Sequence, residues 1–337
     1  MNKQIKIKVF IVLLILTVSL SGYSQVLTDL TDIQKSVANF SADLAKSLPF
    51  NSSLGLNWAD AYIGKFFPSV PPHFGIGASF GFTTLEMPVI KTLSGYFGYK
   101  LPFNTDKMFL PAYTAEARLG GFFLPFDIGF KFGYLPPLGL WGTNMKMNYM
   151  LAGGDIRFAL LDRKVLPKIS LGLGLNYMKS GIGGKAGQDI VIEYGGAADT
   201  ICLERPEVNL DWSTVSLDFK LQISKSFVII TPYLGVGGSY AWSSAGYSVD
   251  TKVTSDGSAS LTAAELADIK QYLRNSGVDA LDLGNSGLSS TIKDSAFNFR
   301  AFGGLSVNLM AFRLDLTGLY SFRDKNYGAS FGARLQL

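Results

Sequence analysis

The chain has 337 residues, 47% of them hydrophobic and 13% aromatic, with a mean hydropathy of +0.23, which is ample apolar surface for one large domain or two ordinary ones. The formal charge of +4 overstates the basic character: taking Lys3, Lys6 and Lys8 of a leader from the 30 basic residues leaves 27 against 26 acidic ones, with no basic arm and no argument for nucleic acid. A single cysteine, Cys202, excludes an intrachain disulfide, and together with the single histidine, His73, it excludes the usual zinc sets and any catalytic group needing two histidines.

Residues 1–25 read as a secretory signal peptide. Lys3, Lys6 and Lys8 form a positive start, Val9 to Leu20 an apolar core, and cleavage is expected after Ser24 or Gln25. No cysteine follows that core, so no lipoprotein is expected. Beyond it no run reaches the roughly 20 apolar residues of a membrane helix, leaving a greasy soluble β protein or a membrane barrel.

Residues 28–48 carry Leu30, Ile33, Val37, Phe40, Leu44 and Leu48 at helical steps, with Thr28 or Thr31 as cap and Pro49 as the stop. Residues 50–72, with Trp58, Tyr62 and three prolines, are expected to be irregular. Such a segment ahead of a barrel can plug the lumen as a hatch, lie on the periplasmic face or pack on another protein. Trp58 and Tyr62 are its candidate hatch residues.

From His73 onward apolar residues recur at every second position, the period of a strand with one greasy and one wet face. Ten such stretches follow: Phe74–Phe82, Tyr113–Phe123, Phe126–Tyr134, Met145–Phe158, Ile169–Tyr177, Thr214–Ile223, Leu234–Trp242, Phe297–Leu309, Phe312–Tyr320 and Tyr327–Leu337. In the fourth the parity slips at Gly153–Gly154, which reads as a bulge. Residues 89–99, 189–194 or 246–254 could raise the count to twelve or fourteen. Long connectors, 83–112, 135–144, 178–209 and 243–295, alternate with short ones, and Arg323–Asn326 alone breaks the order. Long loops on one side and short turns on the other are the asymmetry of outer-membrane barrels. The longest connector carries a predicted helix, with Thr262 and Glu265 as a capping box and Gly277 as its end.

The wet face of the strands carries Glu116, Arg118, Asp127, Lys131, Lys146, Asp218, Lys220, Arg300, Arg313, Asp315 and Arg334. Of these Glu116, Arg118, Lys131, Asp218, Lys220, Arg300, Arg313 and Asp315 are the lumen-lining candidates. Both signs occur on single strands. A charge-selective pore shows one sign, so mixed pairs point to a lumen knitted shut or to a small pocket. A hydrolase needs Ser with His or a carboxylate pair at the lip, whereas His73 sits at the start of the first strand. Gly181–Lys185 looks like a phosphate-loop fragment but lacks the Ser/Thr after the lysine. No enzyme, cofactor or metal site is expected.

On its signal peptide, amphipathic strands and closing strand Tyr327–Leu337 the chain resembles a bacterial outer-membrane β-barrel, although Leu337 stands where that class usually ends in an aromatic residue. More loosely it is similar to the FadL-type long-chain fatty-acid transporters, which place a helical, irregular hatch before a fourteen-stranded barrel. The fold expected is all-β, an antiparallel up-and-down barrel of about 10–14 strands with an N-terminal helical plug or lid, secreted by a Sec-type route into the outer membrane. The resemblance implies outer-membrane lipid and the barrel insertion machinery as partners, and a hydrophobic small molecule as ligand. The function expected is passive transport of small hydrophobic solutes, with a structural or adhesive surface protein, binding through its long loops, as the alternative.

Overall fold

The computed structural model describes residues 41–86, 107–139, 145–163, 165–185, 190–194, 199–203, 207–250, 253–255, 282–283 and 287–337. The signal peptide, the first part of the predicted helix, residues 89–99 and the predicted helix of the longest connector lie outside these residues.

Ten antiparallel strands close into one barrel: β1 (Phe74–Glu86), β2 (Lys107–Phe122), β3 (Phe126–Gly139), β4 (Met145–Leu161), β5 (Lys168–Lys185), β6 (Glu207–Ser224), β7 (Ile230–Asp250), β8 (Gly287–Leu309), β9 (Phe312–Ser321) and β10 (Tyr327–Gln336). Each strand pairs with its neighbours in the chain, and β10 closes on β1 from Gly328↔Thr83 to Gln336↔Gly75. They are the ten stretches of period-two sequence. Closure of β10 on β1 removes the two outer edges the sheet would otherwise present to another chain, and the only facing edges left unpaired among the described residues of the barrel wall are those of β2 and β3 above Ala115↔Phe132. The outward set is apolar and exposed, as at Phe74, Ile76 and Phe80 on β1 or Leu217, Phe219 and Leu221 on β6, and the inward set is buried and polar. That inversion is stable only where the outer surface meets lipid rather than water.

The strands run further than hydropathy alone indicates. β7 has 21 residues and β8 has 23, paired without interruption from Ile230↔Val307 to Asp250↔Gly287, whereas β9 and β10 have 10 each. Connectors 83–112, 178–209 and 243–295 therefore begin and end as strand. In the last two the outward residues turn polar above the bilayer, as at Lys179, Asp211, Ser244 and Lys293, so the hydropathy alternation stops while the backbone ladder continues; in the first, Phe109 stays apolar and exposed. Of the extra strands considered, residues 246–250 are the top of β7. Ile190–Tyr194 pairs with Asp199–Leu203, and this with Val253–Ser255, in a separate three-stranded sheet joining two outer connectors.

Two local expectations fail. No bulge occurs at Gly153–Gly154: the ladder runs straight through Lys131↔Gly153↔Asn176 and Phe130↔Gly154↔Leu175. The slip in pattern arises because the inward residues of β4 change character, from Arg157 and Asp155 near the short turns to Leu151 and Tyr149 further out. Nor does Pro49 end the helix, which continues over residues 41–52. Pro49 cannot bond back to Ala45 O and its ring crowds that carbonyl, yet the turn after it is held by the Ser52 hydroxyl donating to Pro49 O at 2.9 Å.

Candidate functional site

The lumen is filled by the segment that precedes β1, and its two halves differ in chemistry. In the outer half the helix over residues 41–52 places Leu44, Ala45, Leu48 and Phe50, followed by Leu54, against Leu85, Leu110, Leu151, Met178, Trp212, Phe302 and Leu319 of the wall. This is an apolar chamber inside a barrel whose inward face is otherwise polar. Polar tethers hold the helix at the outer rim: the Asn326 amide donates to Ser47 Oγ at 3.2 Å, and the Asn51 amide to Thr83 Oγ1 at 2.7 Å and Leu110 O at 3.1 Å.

Below the helix, residues 53–64 have no regular structure, so their backbone groups need partners from elsewhere. The wall supplies them. Lys131 Nζ donates to Ser52 O and Leu54 O at 2.8 and 2.6 Å, and Lys220 Nζ to Leu56 O at 3.2 Å. The Gln222 amide serves Trp58 O and Ala59 O, and Tyr233 OH serves Asn57 O. Arg157 donates to Asp60 O at 2.6 Å and Lys168 to Tyr62 O at 3.2 Å. In the other direction the amides of Ala59, Ala61 and Ile63 donate to Asp315, Ser224 and Asp127. Gly55, at φ +83, makes a turn that an added Cβ would drive to 2.7 Å from Thr114 Oγ1. The segment leaves the barrel at its short-turn end, where Lys65–Phe67 pairs in parallel with β2 beside Gly121 and Phe122.

The lumen-lining candidates take the following places. Glu116 accepts from Trp58 Nε1 at 2.6 Å and Thr114 Oγ1 at 2.8 Å. Arg118 is fully buried between Asp127 at 2.6 Å and Asp155 at 2.7 Å. Lys220 pairs with Asp155 at 2.5 Å, and Arg300 meets both oxygens of Asp218 at 2.7 Å. Arg313 and Arg334 converge on Asp60 at 2.5 and 2.9 Å, and Asp315 accepts from Arg334. Trp58 lies against two guanidinium groups, Arg334 at 4.5 Å and Arg118 at 5.6 Å from its ring centroid, and Tyr62 lies under Lys168 at 5.5 Å. Lys146 is exposed on the outside of β4. Sequence reasoning missed Asp155 and Arg157, hidden by the supposed slip in β4, and Asp60. The last had a signal: it is a lone acid within Trp58–Ala59–Asp60–Ala61–Tyr62.

These groups do two things. They cancel charge inside the lumen, and they bolt irregular backbone to the wall. A cavity of about 20 Å³ remains between Trp58, Glu116, Asp315 and Arg334, room for about one water molecule. Among the described residues no group of three metal-ligating side chains occurs.

The wall itself has a discontinuity. β2 and β3 pair only from Gly120↔Asp127 to Ala115↔Phe132, yet β2 continues outward to Lys107 and β3 to Gly139. Above that point the facing edges of the two strands do not form a ladder, while their other edges stay paired with β1 and β4. Tyr113 occupies this seam. Its ring packs on the lumenal Tyr149 at 5.6 Å, its hydroxyl donates to Tyr134 O, and its carbonyl oxygen lies where a Cβ on Gly133 would collide with it.

Solved structures similar to this chain are outer-membrane barrels. The outer membrane protease OmpT from Escherichia coli is 10% identical with a TM-score of 0.42, over 82% of this chain and 100% of that one. The translocator domain of the autotransporter NalP from Neisseria meningitidis is 8% identical with a TM-score of 0.31, over 81% and 91%. Ail, the attachment invasion locus protein of Yersinia pestis, is 12% identical with a TM-score of 0.19, over 79% and 97%. No curated sequence relative matches the chain. A sequence profile described as Lsa36-like matches residues 140–337, the stretch that holds β4 to β10 and the connectors between them. With more than half its length so matched, and with the barrel those residues complete, the chain belongs to the Lsa36-like family.

Proposed function

We propose that the protein is an outer-membrane barrel that takes up a small apolar molecule from the outer leaflet, through the β2–β3 seam, into the chamber now filled by the helix over residues 41–52. The observation that carries this reading is the unpaired seam at the height of the apolar chamber. Unpaired backbone edges facing hydrocarbon are costly, and here the opening is written into the chain: Pro111 on β2 and Pro136 and Pro137 on β3 have no N–H to give to a ladder between the two strands. Leu110, Ala112 and Leu135 flank the seam on the lumen side. Leu44, Leu48, Phe50 and Leu54 then stand where the acyl or aromatic body of a ligand would lie. The bolted segment below keeps the route from being an open water-filled pore, so the passive transport proposed here is gated. The pre-barrel hatch supports the likeness to FadL-type transporters, with ten strands in place of fourteen. No catalysis is assigned, and outer-membrane lipid, the insertion machinery and Sec-type secretion belong to the same proposal.

The test is mass spectrometry of organic extracts from the protein purified in mild detergent, together with exchange of a fluorescent fatty acid. A stoichiometric apolar molecule is expected, and Tyr113→Ala should speed exchange at least threefold. An extract without apolar molecules, and no binding by either protein, sinks the proposal.

A second reading, a surface protein that binds a partner through its outer connectors, is favoured by one observation. The three-stranded sheet of Ile190–Tyr194, Asp199–Leu203 and Val253–Ser255 ties two of those connectors together above β5 to β8. On that reading, cells displaying the protein adhere to immobilised glycoproteins or polysaccharides. Removal of residues 252–285 should abolish adhesion without altering the barrel, and unchanged adhesion would count against it.

A further inference from the structure

The turns at the inner end of the barrel are apolar, where short turns usually hold Gly, Asn and Asp. Val228 is 96% exposed, Met310 98% and Val165 83%, and Phe123 and Leu124 also protrude. Phe123 and Met310 hold φ of +63 and +55. Those backbone positions favour glycine or asparagine, so a large apolar side chain there is kept against the local preference. The exposed tips belong to four separate turns, β2–β3, β4–β5, β6–β7 and β8–β9, spaced every second strand around the circumference. Phe67 of the lumenal segment joins them, packed edge-on against Phe123 at 5.2 Å.

We infer that this inner rim is immersed in the phospholipid of the inner leaflet, and that the barrel sits low in the bilayer. Three arguments favour lipid over a periplasmic protein. First, the tips form a ring and not a one-sided patch, and lipid surrounds a barrel on all sides. Second, at the β2–β3 and β8–β9 turns the tips continue the lipid-facing belt without a polar break, through Phe122, Phe123 and Leu124 and through Leu309, Met310 and Phe312. Third, the belt needs them for height on one wall. On β5 and β6 the outward apolar rows Ile169–Tyr177 and Val215–Ile223 each rise eight residues. At about 3.3 Å per residue and a tilt of about 40° they cover roughly 20 Å of the ~25 Å band. Turns β4–β5 and β6–β7, which lead into β5 and out of β6, supply the remainder. On β7 and β8 the rows are longer and reach Trp242 and Phe297. Lys65, Arg163 and Lys225, with Asp162, flank the tips in sequence, as charges that reach the headgroups would.

The test uses the full chain carrying Cys202→Ser and one introduced cysteine: Val228→Cys, Met310→Cys or, as an outer-turn control, Lys325→Cys. Each is labelled with an environment-sensitive nitrobenzoxadiazole dye and reconstituted in phosphatidylethanolamine–phosphatidylglycerol vesicles, with heat-modifiable mobility confirming the fold. Dyes at 228 and 310 should be quenched at least threefold more than the dye at 325 by lipids bearing a nitroxide near the glycerol end of the acyl chain, and should be shielded from aqueous iodide. Equal lipid quenching at all three positions, or free access of iodide to 228 and 310, overturns the inference. The vesicles hold no other protein, so that result would move the rim to a protein partner.

Discussion

A chain lacking residues 41–63 should insert as a barrel that conducts ions in a planar bilayer, whereas the intact protein should give no steady conductance. In the intact protein the helix fills the outer lumen and the segment below it occupies the inner lumen. Deletion removes Asp60 and the backbone carbonyls that Lys131, Lys220, Gln222, Arg157 and Lys168 now serve. Those donors, with Asp127, Asp155, Asp218 and Glu116, then have only each other and water. Charged groups left without partners draw water in, and a wetted ten-stranded lumen with side chains of both signs passes cations and anions alike. The expected change is from background to resolved single-channel steps, more than tenfold in current. A silent deleted barrel would mean that the wall side chains close the lumen by themselves and the plug is not the seal.

Asp127→Ala should cost about 3–5 kcal/mol of stability, the range for breaking a buried ion pair from one side. Asp127 is fully buried and accepts from Arg118 at 2.6 Å, from Arg157 at 2.8 and 2.9 Å and from the Ile63 amide at 3.1 Å. No water reaches the site to replace it. Arg118 keeps Asp155 and Arg157 keeps Asp60 O, so the loss falls short of two isolated buried charges. The contrast is Asp43→Ala. Its 3.2 Å pair with Lys46 lies at the outer end of the helix with both side chains more than 40% exposed, and its removal should cost under about 1 kcal/mol. Urea unfolding in vesicles, read by heat-modifiable mobility, measures both. Equal midpoints for the two variants would show that the lumenal network is not what holds the plug.

The barrel was legible in the sequence because a membrane strand has to obey a local rule. Every residue faces either lipid or lumen, so Phe126, Ile128, Phe130 and Phe132 against Asp127, Gly129, Lys131 and Gly133 declare themselves without knowledge of any neighbour. Ten stretches of that kind became ten strands, and the inward charges of Glu116, Arg118, Lys131, Asp218, Lys220, Arg300, Arg313 and Asp315 could be named individually. Strand length was less legible. Above the bilayer the outward face meets water, and the alternation that marks β7 and β8 ends before their ladder does.

What only the tertiary structure decided concerns partners distant in sequence. Residues 50–72 were irregular to local rules, and nothing in them shows that Lys131, Gln222 and Arg157, from three different strands, would take up their carbonyls. Asp60 gains its two guanidinium partners 253 and 274 residues away. Leu151 and Tyr149 look like a slipped register until the helix that covers them is in place. The seam between β2 and β3 had a local sign in Pro111, Pro136 and Pro137, which cannot donate to a ladder, but that these prolines face one another across adjacent strands follows only from the register. Local sequence sets which face of a strand is greasy. Which greasy or charged groups meet inside a closed barrel follows from closure and from the chain threaded through it.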